Sequence, residues 1–243
     1  MKKVDLTTYT YGELKSMALE MGLKVRRSRT ELLRDISVAF KEYENYKKTK
    51  IDRYKRIRQL GEKGKEGTTY LVETNNQEYA MKTFRKQKSS AMLRKEAELQ
   101  SAAASVGASP KVIDIDTVSK YIVMEKLDRH MYDVMKKNNG VLSKTVQRQI
   151  IAIYKKLDQA GVFHGDANLM NYMFKGRNLY IIDFGMAKEI TTSLVRKLGT
   201  STPNLSIMTL GLVLKLRELG SPSTSYSHLV KYLSEEQKSQ FEL

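Results

Sequence analysis

The sequence predicts an α+β fold: a small antiparallel sheet followed by a mainly helical region, with a small helical module in front. Three patterns carry that reading. Short runs of strand character fall near 68 to 73, 78 to 84, 112 to 118 and 120 to 125. Val146, Ile150, Ile153, Tyr154 and Leu157 then repeat at three and four residues, with Ser143 placed to cap the start and Gly161 to end the helix. Ahead of both, Leu14, Met17, Ala18 and Met21 mark one face of a short helix that Gly22 stops.

A second N-terminal helix is expected from Thr30, an N-cap residue type, with Leu32, Leu33, Ile36, Phe40 and Tyr43 on its inner side. The extended connector between the two helices carries Lys24, Arg26, Arg27 and Arg29. From Glu42 to Arg58 the composition turns to Lys, Arg and Tyr with few aliphatics, as in an exposed connecting helix. The expected organisation is therefore a module at 1–44, a basic helical linker at 45–58 and a larger domain at 59–243.

Formal net charge is +16, and the first sixty residues hold 16 Lys or Arg against 8 Asp or Glu. Such a balance favours polyanions, nucleic acid or acidic protein surfaces, unless the lysines serve only solubility. There is no cysteine, which excludes disulfides and thiolate metal sites and suits a reducing compartment. The N-terminus lacks the apolar run of a signal peptide, and the longest apolar stretch, near Leu205 to Leu214, is too short to span a bilayer. A soluble, intracellular protein is expected.

The densest chemical signal lies between His164 and Gly185. His164-Gly165-Asp166 is followed by Asn171 and then by Asp183-Phe184-Gly185. Phosphoryl transfer needs an aspartate to orient the attacking hydroxyl, and an amide oxygen and a second carboxylate to hold magnesium against the phosphates. Asp166, Asn171 and Asp183 supply those groups, and Leu179 to Asp183 is expected to return from a hairpin turn around Lys175 to Asn178. Upstream, Gly61, Gly64 and Gly67 suit close approach of backbone amides to phosphate oxygens. Lys82 follows that hairpin, and the helix after it offers Glu96 as the favoured ion-pair partner, with Glu98 the competing choice; two residues apart on a helix, only one of them can face the site.

These residues, in this order and register, resemble the protein-kinase superfamily. The resemblance implies a two-lobed fold with a small antiparallel-sheet lobe and a reduced helical lobe, and ATP and Mg2+ as cofactors. It assigns the nucleotide to Leu60, Gly61, Gly64, Gly67, Thr69, Ala80 and Lys82, and to the backbone of Glu125 and Leu127 in a hinge behind which Met124 lies. It makes Asp166, Lys82, Glu96, Asn171 and Asp183 the catalytic set, with Asn171 and Asp183 holding the metal and His164 buttressing the loop. The expected activity is γ-phosphoryl transfer to Ser or Thr hydroxyls of protein substrates. A small-molecule phosphotransferase and an inactive, DNA-tethered pseudokinase scaffold are the alternatives.

Departures narrow the subfamily. Two residues, Glu62 and Lys63, separate the first two glycines where the family has one, Gly165 replaces a common arginine, and no Ala-Pro-Glu motif follows. Ser206-Ile207-Met208-Thr209-Leu210-Gly211 resembles the central helix of the large lobe with Ser206 in place of its aspartate. The trimmed form resembles minimal kinases related to the KEOPS-complex kinase and, through its compactness and N-terminal fusion, the small Ser/Thr kinases of large DNA viruses. The connector from Gly22 to Leu33, within the module at 1–44, resembles the SAP motif, a helix-extended-helix DNA-binding module, which implies DNA contact through Lys24, Arg26, Arg27 and Arg29. Ser28 stands where that motif usually has Gly.

Overall fold

The computed structural model describes residues 6–51, 53–61, 64 and 66–242, with the side chains of 20 and 43–51 outside the description. Tyr43's side chain, Glu62 and Lys63 therefore fall outside the described set. The chain divides into two compact units, Met1–Lys55 and Arg56–Leu243.

In the first unit, α1 (Tyr11–Glu20) starts in a capping box: the Glu13 amide donates to Thr10 Oγ1 at 3.3 Å, and the Thr10 amide donates to Glu13 Oε2 at 2.7 Å. Gly22, at φ +68°, takes the left-handed turn that ends it. Helix α2 (Arg29–Ile51) begins one residue before the expected Thr30, so Ser28 holds the position before the helix and its carbonyl accepts from the Leu32 amide at 3.1 Å. Leu14, Ala18, Leu32 and Ile36 are fully buried between the two helices.

The second unit opens with a five-stranded antiparallel sheet in the order β1-β2-β3-β5-β4. Its strands are β1 (Lys55–Leu60), β2 (Gly67–Thr74), β3 (Gln77–Phe84), β4 (Val112–Asp116) and β5 (Tyr121–Glu125). Strand β1 and the length of α2 correct the expected helical linker at 45–58. The helix runs on to Ile51 and the sheet has begun by Lys55. β1 is an almost fully exposed edge strand whose alternate charges hide its strand character from a hydrophobic-period reading. Helix α3 (Ser90–Ser105), capped by the Ser89 side chain, lays Leu93 and Ala97 against Ala80, Ile122 and Met124 of the sheet.

The rest is mainly helical: β6 (Arg129–His130), α4 (Met131–Lys137), α5 (Lys144–Gln159), β7 (Val162–Phe163), the β8–β9 hairpin (Tyr172–Lys175 and Asn178–Ile181), β10 (Lys188–Glu189), α6 (Thr192–Leu198), α7 (Thr209–Glu218) and α8 (Glu235–Gln240). Ser143 Oγ caps α5 by accepting from the Val146 amide, and Ile150, Ile153, Tyr154 and Leu157 are buried in the core that α5 shares with Tyr172, Ile181, Leu212 and Leu216. The result is an α+β, two-lobed arrangement. Among the described residues no helix is long and apolar enough to cross a membrane.

Leu157 has no exposed surface at the centre of this core. Leu157→Ala is expected to destabilise the second unit by about 2–5 kcal/mol, the usual range for a truncated buried leucine, read as a lower urea midpoint with unchanged slope.

Candidate active site

Strand β3 carries the first group. Lys82 lies opposite Thr69 on β2 and Ile122 on β5, on the same face as Ala80 two residues earlier, so its side chain rises from the face that α3 covers. There Lys82 Nζ donates to Glu96 Oε1 at 2.7 Å. Glu96 is buried among the apolar residues of α3, whereas Glu98 is exposed, as their different angles around the helix require.

The same ammonium donates to Asp183 Oδ1 at 2.8 Å and so ties the sheet to the hairpin of the helical lobe. Burial alone would lower the Lys82 pKa; the Asp183 and Glu96 carboxylates outweigh it and hold the ammonium above lysine's ordinary value. For Asp183, burial pulls upward, and Lys82 more than offsets it, so the carboxyl sits below its ordinary value. Asp183 occupies the left-handed region at φ +68°, ψ +75°, a conformation aspartate tolerates better than most residues, and its Oδ1 also accepts from the Gly185 amide.

On the other side, Asn171 Nδ2 donates to Asp166 Oδ2 at 2.9 Å, and Asp166 Oδ1 accepts from the Asn168 amide at 3.1 Å. The Ile182 amide donates to the Asn171 carbonyl at 2.8 Å, which sets Asn171 directly across from the residue before Asp183. His164 fixes the same geometry from below. Its Nε2 donates to the Ile182 carbonyl at 3.0 Å, and its ring meets Phe184 edge to face at 4.9 Å. Nδ1 has no partner among the described residues, and burial pushes the His164 pKa down, so the ring is a neutral brace.

Asn204 anchors that loop, and the sequence pattern did not reveal it. Its buried Oδ1 accepts from the His164 amide at 3.0 Å, while its Nδ2 donates to Asp158 Oδ1 at 2.7 Å and to the Val162 carbonyl at 2.8 Å. Asp158 Oδ2 accepts from the Leu205 amide at 3.0 Å. Ser206, two residues further on, is not part of this network; its Oγ accepts from Gln237 Nε2 at 3.3 Å. Asn204 bonds the loop, and the accompanying carboxylate comes from α5. No periodicity marks Asn204, because its partners lie 40 to 46 residues away in sequence. Further along, α7 meets the loop where a Cβ on Gly211 would lie 3.0 Å from Ala167 Cβ.

Over the site, Gly61 adopts φ +66°, and a Cβ on Gly67 would lie 1.9 Å from the Thr83 carbonyl oxygen, so β2 and β3 pair closely only with glycine there. Leu60 packs on the small-lobe core, and Gly64 lies near the Gly67 carbonyl. At the hinge, the Glu125 carboxylate accepts from the Lys111 amide and from Lys175 Nζ, and Leu127 is buried. Two further residues missed in the sequence enter the cleft: Glu66 and Lys88, whose Nζ donates to Glu66 Oε2 at 2.7 Å and to Glu96 Oε2 at 2.6 Å. The available signal was the carboxylate of Glu66 set among the glycines at 61, 64 and 67.

The four basic residues assigned to DNA lie in the first unit and are not equivalent. Arg29 Nη2 donates to the Thr7 and Tyr9 carbonyls at 2.7 and 3.0 Å, and Arg26 pairs with Asp35 at 3.0 Å. Lys24 and Arg27 are exposed. Arg29, itself exposed, also ties the start of α2 to the segment before α1 through those two carbonyls.

A lysine shared between a helical glutamate and the Asp-Phe-Gly aspartate, beside an aspartate bonded to Asn171, is the arrangement of a protein kinase. The protein kinase domain family matches residues 54–204, and the chain belongs to it. Within that family it is 37% identical over 92 residues to a probable serine/threonine-protein kinase BUD32 homolog of Archaeoglobus fulgidus, a match covering 38% of this chain and 44% of that protein. It is 30% identical over 96 residues to the KEOPS complex subunit Bud32 of Pyrococcus abyssi, covering 39% and 44%. The chain thus spans less than half the length of these curated relatives.

Asn204→Ala leaves the His164 amide and the Val162 carbonyl without their bonds, and is expected to cost about 1–3 kcal/mol, measured by urea unfolding. The His164 pKa lies below its unfolded value of about 6.5. The folded state therefore binds fewer protons, and the contribution is intact above pH 6.5 and lost as pH falls from there toward the folded pKa. Unfolding free energy, measured by urea titration at each pH, should drop across that window, with a slope approaching about 1.4 kcal/mol per pH unit at most, about one proton. His164→Gln should flatten most of the slope.

Proposed function

We propose that this chain is an ATP- and Mg2+-dependent protein kinase related to Bud32, transferring the γ-phosphoryl group to Ser or Thr hydroxyls of protein substrates. The observation that carries the reading is the Lys82 ammonium at 2.7 Å from Glu96 and 2.8 Å from Asp183. Asn171 and Asp183 offer hard oxygen donors from adjacent backbone positions, the set magnesium prefers. Bound there, the metal would neutralise charge on the phosphate oxygens. Asn171 bonds Asp166 through Nδ2, which leaves its Oδ1 for the cation.

In this reading Asp166 orients the substrate hydroxyl and accepts its proton, held at its angle by Asn171 and the Asn168 amide. Lys82 draws the α and β phosphates toward β3, and the glycines at 61, 64 and 67 let backbone amides approach them. The backbone of Glu125 and Leu127 receives the base. The P. abyssi relative's description as a complex subunit supports protein partners for the kinase unit. For the N-terminal module we propose polyanion binding, DNA first, through Lys24, Arg26, Arg27 and Arg29, of which Lys24 and Arg27 carry no ion pair among the described residues.

Incubation of the full chain with labelled ATP and Mg2+, scored for phosphoserine and phosphothreonine on itself, casein and histone, and for transfer to a panel of amino alcohols, tests the activity. Asp166→Asn is expected to lower turnover by roughly 10²-fold or more. Transfer only to amino alcohols would replace the protein-kinase reading. For the module, the double variant Lys24→Ala, Arg27→Ala is expected to weaken duplex DNA binding and to reduce the slope of log affinity against log salt by about 2, measured by fluorescence anisotropy. An unaltered slope would remove DNA from these residues.

A further inference from the structure

Glu96 is gripped twice. Lys82 takes Oε1 at 2.7 Å, and Lys88 takes Oε2 at 2.6 Å. The two ammoniums also flank one aromatic ring, at 5.0 and 4.9 Å from the centroid of Phe84. Lys88 lies just ahead of the α3 cap and is as enclosed as its partner: its side chain is 6% exposed and that of Glu96 3%. So deep a lysine needs a full set of acceptors. Beside Glu96 the second is Glu66, whose Oε2 lies 2.7 Å from Lys88 Nζ and 4.0 Å from Lys82 Nζ.

Glu66 differs from the others. Its side chain is 43% exposed, and it stands at the end of the glycine-rich segment, next to Gly67. Its carboxylate reaches into the cleft far enough that a Cβ on Gly185 would lie 2.7 Å from Oε2. Oxygens of Glu66, Glu96 and Asp183 lie within 4.8 Å of one another, so three carboxylates share two lysines. Glu96 and Asp183 are tied to α3 and the hairpin. Glu66 alone comes from the segment assigned to cover phosphates, and it brings an anion to the place where they are expected.

We propose that Lys88 is a second phosphate-binding lysine of the nucleotide site, and that the Glu66 carboxylate holds the position of a nucleotide phosphate until the nucleotide displaces it. This deepens the kinase reading and rests on it. An incoming phosphate oxygen replaces Glu66 on Lys88 without leaving that ammonium unpaired, and Glu66 turns outward to water. Lys82 keeps Glu96 and Asp183 throughout. One anion is exchanged for another, so nucleotide affinity carries the cost of releasing Glu66, and the exchange discriminates triphosphate from nucleoside.

Equilibrium binding of Mg2+-ATP and of adenosine to the full chain, by calorimetry, tests this in the wild type, Glu66→Gln and Lys88→Met. Glu66→Gln is expected to tighten ATP about tenfold and leave adenosine unchanged, since one charged hydrogen bond no longer competes. Lys88→Met is expected to weaken ATP about tenfold or more, again with adenosine unchanged. ATP affinity that is unaltered or weaker in Glu66→Gln overturns the proposal, as does an equal loss of ATP and adenosine in Lys88→Met. Should Lys88→Met fail to fold, Glu66→Gln decides alone, being a substitution at a half-exposed side chain. A wild type that binds no ATP sinks the kinase reading itself, which is a different result from a wild type that binds ATP and variants that match it.

Discussion

The second unit is organised by the requirement that the nearly buried Lys82 ammonium be neutralised from two directions. A charge in such a place is tolerated only with close partners, and removing one partner of such a pair is far more costly than the pair is worth. Glu96 reaches it only if α3 docks with one face on the sheet, and Asp183 only if the β8–β9 hairpin aims its end at β3. The cap at Ser89, the close β2–β3 pairing at Gly67 and the left-handed backbone at Asp183 are each local conditions for that meeting. The packing of α3 on the sheet and the placement of the hairpin are therefore also the conditions that assemble the site.

Around this point the protein separates what is fixed from what is exposed. Below, α5 presents Asp158 to Asn204, Asn204 holds the His164 backbone, and the His164 ring holds the Ile182 carbonyl, so a chain of buried bonds leads from the helical core to the residue before Asp183. Above, the described part of the glycine-rich segment meets the site through the half-exposed Glu66. A rigid floor under an exposed cover suits chemistry that depends on placing groups rather than on covalent participation of the protein.

What was legible in the sequence was what is encoded locally. Strands β2, β3 and β5 have a buried side and read as strands; β1, charged along an exposed edge, did not. That only one of Glu96 and Glu98 can face the site followed from helical angle, and the register from Asp166 to Asp183 followed from a motif in which every residue has a chemical duty. Asn204, Lys88 and Glu66 were silent because each acquires its role from a partner that only the fold supplies. The bonds of Arg29 to the module's own carbonyls were silent for a related reason: net charge counts guanidiniums but does not say which are already bonded within the fold.

Gly211 gives the helical lobe a further property. With a bare backbone of α7 set where even a methyl group would crowd Ala167, nothing compressible lies between the helix and the residue next to Asp166. Leu212, Val213 and Leu216 seat that helix in the interior, so it has little freedom to yield. The Asp166 carboxylate is thereby referenced, through its neighbour Ala167, to a helix seated in the buried layer of the lobe.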